Sequence, residues 1–213
     1  MTFFIACDFD GTITLRDTLE LVVSRFAPGV WDTIEVDLLA GEITLTEAMR
    51  REFDQVRVRE ADVVAHVLRE AHLRPGFVEF VAWAEAEGHP LLIVSSGFRS
   101  LIDPVLARAG LSRLHVHAGE ALFTVEGTSV MFPPSRMPCI ETCGHCKSET
   151  IAAHEPFPGP LVYIGDGYSD RCAAQKADVV FAREELGRYL DLQGVASRPF
   201  EDFYEIRDVL KEL

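Results

Sequence analysis

The sequence predicts an α/β fold: a parallel sheet covered by helices on both faces, with a helical cap subdomain inserted in it. Three observations point there. Apolar runs at Phe3–Cys7, Leu91–Val94, Leu161–Ile164 and Val179–Phe181 read as buried strands. Helical patterns lie between the later runs, and buried strands alternating with helices belong to parallel sheets. Residues from about Asp17 to Arg74 break that alternation, with helical spacing and no strand. At 213 residues and 48% apolar, the chain suits one substantial domain carrying an insert.

The first strand stops at "DFDGT". Asp8 and Asp10 lie on the same side of an extended segment, so they repel unless something positive sits between them. Phe9 points the other way, into the core. In the insert, "TLELVVSRF" keeps Leu19, Val22, Val23 and Phe26 at helical spacing. Asp17 suits its N-cap, or faces a substrate from the base of the cap. Pro28 opens a second helix. "TLTEAMRREF" is a third, capped by Thr44 or Thr46, and "EADVVAHVLREA" a fourth. Met49 and Phe53 read as helical core, with an apolar substrate wall as the alternative. "PGF" at Pro75 marks the return, so the core is 1–16 and 75–213 and the cap 17–74.

"VEFVAWAEAEG" is a helix stopped at Gly88, and "PLLIVSSGF" follows it. A smaller irregular insert spans about Val116 to Cys146. Within it "GEALFTVEGTSVMF" reads as a hairpin and "PPSRMPCIETCGHC" as a loop by composition. His115 and His117 alternate as a strand would. "KSETIAAHE" is a helix ahead of "GPLVYIGDGYSD". The tail sets Phe203, Ile206, Leu210 and Leu213 on one helical face. Ligands of such sheets bind at the carboxyl ends of the strands, where "DFDGT", "SSG" and "GDGYSD" all fall.

The net charge of −14 argues against nucleic acid as a partner. It is compatible with a phosphorylated substrate, because a bound cation reverses the field locally. No apolar run is long enough for a membrane span. No basic segment followed by a long apolar stretch opens the chain, so a cytoplasmic location is expected. Of the five cysteines, Cys7 and Cys172 read as small buried residues. Cys139, Cys143 and Cys146 cluster just before Lys147, as loop packing, a disulfide or a structural metal site.

Taken singly, each site residue has a plain role. Asp166 or Asp170 could cap a helix, Asp10 could bind a turn, Ser95 could cap, and Lys147 could lie on the surface. Their order along the chain decides otherwise. "DFDGT", "SSG", a lysine opening a later helix and "GDGYSD" together resemble the haloacid dehalogenase superfamily of aspartate-nucleophile phosphatases.

That resemblance implies a Rossmann-like core with a helical cap after the first strand. It implies Asp8 as nucleophile, Asp10 as the acid that protonates the leaving oxygen and later activates water, and Lys147 as a cation for the nucleophile and the transferred phosphoryl group. It implies Mg²⁺ held by Asp8, the Asp10 carbonyl and Asp166, with Asp170 behind them. Phosphate would meet Thr12, Ser95, Ser96, Gly97 and Lys147. Gly165 and Gly167 would let the backbone turn beside the ion.

Two branches of the superfamily act on small phosphorylated metabolites: phosphoserine phosphatases and the 2-hydroxy-3-keto-5-methylthiopentenyl-1-phosphate phosphatases of methionine salvage. "FAPGVW", "CGHCK", "FAR" and "DFYEIR" are similar to the second. Glu52 stands where the first carries a cap arginine, and Asp17 where it carries a glutamate. The expected partner is a small phosphorylated metabolite, with a homodimer left open. A phosphotransferase and a non-catalytic phosphate-ester-binding protein are the other function classes.

Overall fold

The computed structural model describes residues 1–136 and 143–213. In chain order the elements are β1 (Phe4–Cys7), α1 (Thr18–Phe26), α2 (Val30–Leu39), α3 (Leu45–Asp54), α4 (Glu60–Glu70), α5 (Phe77–Ala86), β2 (Leu91–Phe98) and α6 (Arg99–Arg108). There follow β3 (His115–Phe123), β4 (Thr128–Met131), α7 (Lys147–Ala152), β5 (Leu161–Gly165), α8 (Arg171–Ala174), β6 (Val179–Ala182), α9 (Glu184–Gln193) and α10 (Phe203–Glu212).

The strands form one sheet in the order β4-β3-β2-β1-β5-β6, parallel except for β3 against β4. β1 lies in the middle because it is apolar on both faces. Phe3, Ile5 and Cys7 join one buried cluster, and Phe4 and Ala6 the other. That is the period of two expected of a strand covered on both sides. The expected Rossmann-like core is therefore present.

Helices α1 to α4 fall between β1 and β2. α1 packs on α2 and α4, α4 on α6, and α3 on β4, so these helices share the larger cluster with the sheet. Met49 and Phe53 lie inside it, with Phe53 edge-on to Phe98 at 4.8 Å. Core packing, not a substrate wall, is their position. Asp17 caps α1 through the amides of Leu19 (2.7 Å) and Glu20 (3.2 Å). Thr44, not Thr46, caps α3. The chain enters and leaves this helical region through two paired segments, with Leu15 N bonded to His72 O and Arg74 N to Ile13 O.

Four expectations need correction. β2 runs on to Phe98, through "SSGF". β3 is a strand of the main sheet, paired in parallel with β2 from His115 before it turns into the hairpin with β4. Its first residues alternate exposed and half-buried, so no apolar run marks it. Leu213 lies beyond the end of α10 and is exposed, while Phe203, Ile206 and Leu210 are buried. Cys172 is exposed, unlike buried Cys7.

Candidate active site

The ends of three neighbouring strands meet the start of α7. β1 delivers Asp8 and Asp10, β2 delivers Ser95 to Gly97, and β5 delivers Asp166. Lys147 opens α7, and its Nζ lies 2.5 Å from Asp8 Oδ1 and 2.6 Å from Asp170 Oδ1. It is 2% exposed, so this ammonium is committed to the two carboxylates rather than to solvent. Burial opposes its charge, but the pairing with Asp170 and Asp8 outweighs burial and holds its pKa above the usual lysine value.

Asp170 anchors the group. Its Oδ1 accepts from Lys147 and from the Tyr163 hydroxyl (2.5 Å), and its Oδ2 accepts from the amides of Asp166 (3.0 Å) and Gly167 (2.9 Å). Both oxygens are thus occupied by donors. Thr12, expected at phosphate, donates its hydroxyl to Asp166 Oδ1 at 2.7 Å and so holds this carboxylate.

Asp10 has a different setting. Thr18 donates to its Oδ1 from the amide (2.9 Å) and the hydroxyl (2.5 Å), and Ser95 donates to its Oδ2 (3.2 Å). Burial raises its pKa, and these hydrogen bonds only partly offset it. Ser95 Oγ also accepts from the Gly97 amide at 2.8 Å, so that amide is already used. Ser96 Oγ is buried with no partner among the described residues.

Three glycines are fixed by this crowding: Gly11, Gly97 and Gly165. Gly11 has φ of +75°, and a Cβ there would collide with Asp166 Oδ2. A Cβ on Gly97 would lie 2.6 Å from Asp10 Oδ2. Gly165 and Gly167 do not have left-handed backbone, but a Cβ on Gly165 would lie 2.7 Å from Asp170 Oδ2.

The acidic group fits a divalent cation. Oxygens of Asp8, Asp166 and Asp170 lie within 4.8 Å of one another, and Lys147 donates to Asp8 and Asp170. Burial first, then Asp170, pushes Asp8 well above the usual carboxylate range, with Lys147 offsetting part of it. The same two causes raise Asp166 to about 6. Among the described residues, hydrogen bonds use the carbonyls of Phe9, Gly11, Thr12, Ile13 and Thr14 and leave that of Asp10 over. With Asp8 and Asp166 it offers the oxygen set that a hard cation takes.

Sequence reasoning missed four supporting residues. Thr18 and Tyr163 hold Asp10 and Asp170. Arg74, 5% exposed, donates to the carbonyls of Thr12 (2.7 Å) and Gly11 (2.5 Å) and so clamps the loop after Asp10. His145 touches the Ser95 carbonyl. Only "CGHCK" carried a signal, because it places His145 beside the lysine.

Of the cysteine cluster, Cys139 lies outside the described residues. Cys143 and Cys146 are not joined to each other. They line a cavity of about 230 Å³ with Cys172, His145 and Lys147. Among the described residues, the aspartate trio is the one convergent ligand group.

The sequence profile of the haloacid dehalogenase-like hydrolases matches residues 5–175. The chain belongs to this family. The resemblance drawn from the motifs is therefore right, and the chain is a hydrolase of the haloacid dehalogenase-like type. It is 30% identical to a 2-hydroxy-3-keto-5-methylthiopentenyl-1-phosphate phosphatase of Brevibacillus brevis, over 97% of this chain and 94% of that one. It is 31% identical to the protein of the same name from Exiguobacterium sp., over 99% and 98%. A bifunctional enzyme MtnB/MtnX of Bacillus licheniformis is 32% identical over 98% of this chain, which spans about half (49%) of that relative's length. Among solved structures, a phospho-aspartyl intermediate analogue of phosphoserine phosphatase superposes with a TM-score of 0.72. It has 18% identity, with 100% and 99% of the two chains covered. Among the described residues, no helix of this hydrolase is long and apolar enough to cross a membrane.

Proposed function

We propose that this hydrolase is a Mg²⁺-dependent phosphatase that cleaves a small phosphorylated metabolite through an aspartyl-phosphate on Asp8. The observation that carries the reading is the cluster of buried Asp8 and Asp170 with half-buried Asp166, in which one ammonium is bonded to the first two. Such a cluster is costly unless a further positive charge joins it. Asp8, Asp166 and the Asp10 carbonyl would hold Mg²⁺, which would neutralise the carboxylates and the phosphate oxygens that face them.

The chain's own groups then divide the work. Lys147 keeps Asp8 oriented and offsets charge on the transferred phosphoryl group. An oxygen of Asp8 forms a bond to phosphorus as the ester P–O bond breaks. Asp10, whose pKa burial raises, gives its proton to the leaving oxygen. The resulting Asp10 carboxylate then takes a proton from water, whose oxygen attacks phosphorus. The acyl-phosphate P–O bond breaks, and phosphate and the Asp8 carboxylate return.

The names of the relatives favour the methylthio ketose phosphate of methionine salvage as substrate. Glu52 supports that choice over phosphoserine. It is a buried acidic residue of α3, at the position where the resemblance to phosphoserine phosphatases implies a cap arginine for the substrate carboxylate. The test is a panel of phosphate esters with Mg²⁺, including that intermediate, phosphoserine, phosphoethanolamine and phosphocholine. Phosphate release that stops on chelation and returns with Mg²⁺ is expected, with the salvage intermediate turned over most efficiently. Hydrolysis indifferent to chelation would contradict the mechanism, and a preference for phosphoserine would contradict the substrate.

A further inference from the structure

We propose that His145 is a positioning residue for this reaction, fixing the Ser95–Ser96 peptide so that the phosphate cradle at the end of β2 is shaped before substrate arrives. The inference rests on the phosphatase reading. It starts from where the sheet stops supporting β2. Pairing with β1 ends at Cys7 opposite Ile93, and pairing with β3 skips from Val94 to Phe98. Ser95, Ser96 and Gly97 fall in that irregularity, where no residue of β1 or β3 is paired opposite them.

An imidazole takes the ladder's place. His145 Nδ1 lies 2.8 Å from the Ser95 carbonyl, and Nε2 lies 2.6 Å from Thr150 Oγ1. A carbonyl only accepts, so Nδ1 carries the proton, and Nε2 then accepts from the Thr150 hydroxyl. The ring is 2% exposed. Burial holds its pKa down at about 4, with Lys147 adding to the effect, so it stays neutral in this one tautomer. The Lys147 amide donates to the His145 carbonyl at 3.0 Å, so imidazole and ammonium ride on one turn.

The consequence follows from peptide geometry. A planar trans peptide whose carbonyl is held has its N–H aimed the opposite way. His145 therefore directs the Ser96 amide away from itself. It also steadies Ser95, whose hydroxyl meets both Asp10 and the Gly97 amide. Freeing the Ser95 carbonyl would loosen the place where phosphate binds and leave Asp8, Lys147 and Asp170 intact.

The full chain with Mg²⁺ and p-nitrophenyl phosphate tests this, with inorganic phosphate as competitive inhibitor. In His145→Asn, the amide nitrogen takes the place of Nδ1 and donates to Ser95. In His145→Gln, it reaches toward Thr150 and misses Ser95. His145→Gln should raise KM and the phosphate inhibition constant about tenfold, the scale of one lost hydrogen bond. Its kcat should hold, and His145→Asn should stay close to wild type. Equal melting temperatures in the two variants would separate positioning from plain stability. Thr150→Val gives a second route if His145→Gln does not fold: it releases the tautomer and should also raise KM. Equal KM and inhibition constants in the two His145 variants, or Thr150→Val at wild-type KM where His145→Gln does not fold, would overturn the role of His145. A wild-type protein that neither hydrolyses phosphate esters nor binds phosphate would instead overturn the phosphatase reading.

Discussion

Asp8 and Asp10 stand two positions apart, yet their neighbours differ in kind. Asp8 faces an ammonium and other carboxylates, and Asp10 faces hydroxyls and an amide. Pairs of carboxyls in such unequal settings divide into nucleophile and acid. Asp10→Asn should lower turnover by about 10²–10⁴, the usual value of a general acid–base, while Mg²⁺ affinity by calorimetry stays near wild type. Asp8→Asn should abolish turnover and weaken Mg²⁺. Gly11→Ala should also be severely impaired in a phosphate-release assay, because its Cβ meets the carboxylate of Asp166 on a left-handed backbone. The clustered carboxylates proposed to react were legible in the sequence because motif order places them at strand ends. Arg74 and His145 were not, because their partners lie 62 and 50 positions away, at Thr12 and Ser95.

At the scale of elements, the helix after β1 explains Asp17. Its carboxylate caps α1, and Asp10 and burial both raise its pKa. Asp17→Ala should cost about 1 kcal/mol of stability in urea, and Asp17→Asn almost nothing, since both Asp and Asn cap well. A change of KM in Asp17→Asn without a change of stability would assign it a contact with substrate as well. Arg74 joins the loop after Asp10 to the segment that leaves α4. Arg74→Ala should cost about 3 kcal/mol or more, because several carbonyls lose a charged donor at once. Strands β1, β2, β5 and β6 were readable because a strand covered on both faces must be apolar throughout. β3 was readable only in part: the alternation at His115–His117 suggested a strand, but half its side chains meet solvent, so no apolar run placed it in the main sheet.

Across the whole molecule, the acidic site links stability to pH and to metal. Asp166 has its pKa raised to about 6, and Asp8 and Asp10 are raised too. A carboxyl raised in the folded state favours folding below the unfolded value and loses that contribution as pH climbs through the folded one. The chelated protein should therefore lose stability as pH rises through about 6. Mg²⁺ held by the ionised carboxylates, as proposed, would raise the melting temperature more at pH 7.5 than at pH 5. A gain independent of pH would place the cation away from these groups. The net charge of −14 leaves the protein able to attract Mg²⁺, and Lys147 and the cation give an anionic ester its local welcome.

The claim on which everything turns is that phosphorus passes to Asp8. Acid quenching during turnover with Mg²⁺, followed by mass spectrometry of the peptide that contains Asp8 and Asp10, measures it directly. One phosphoryl group on Asp8 is predicted, absent without Mg²⁺ and absent in Asp8→Asn. Label on another residue, or continued hydrolysis by a clean Asp8→Asn preparation, would contradict it.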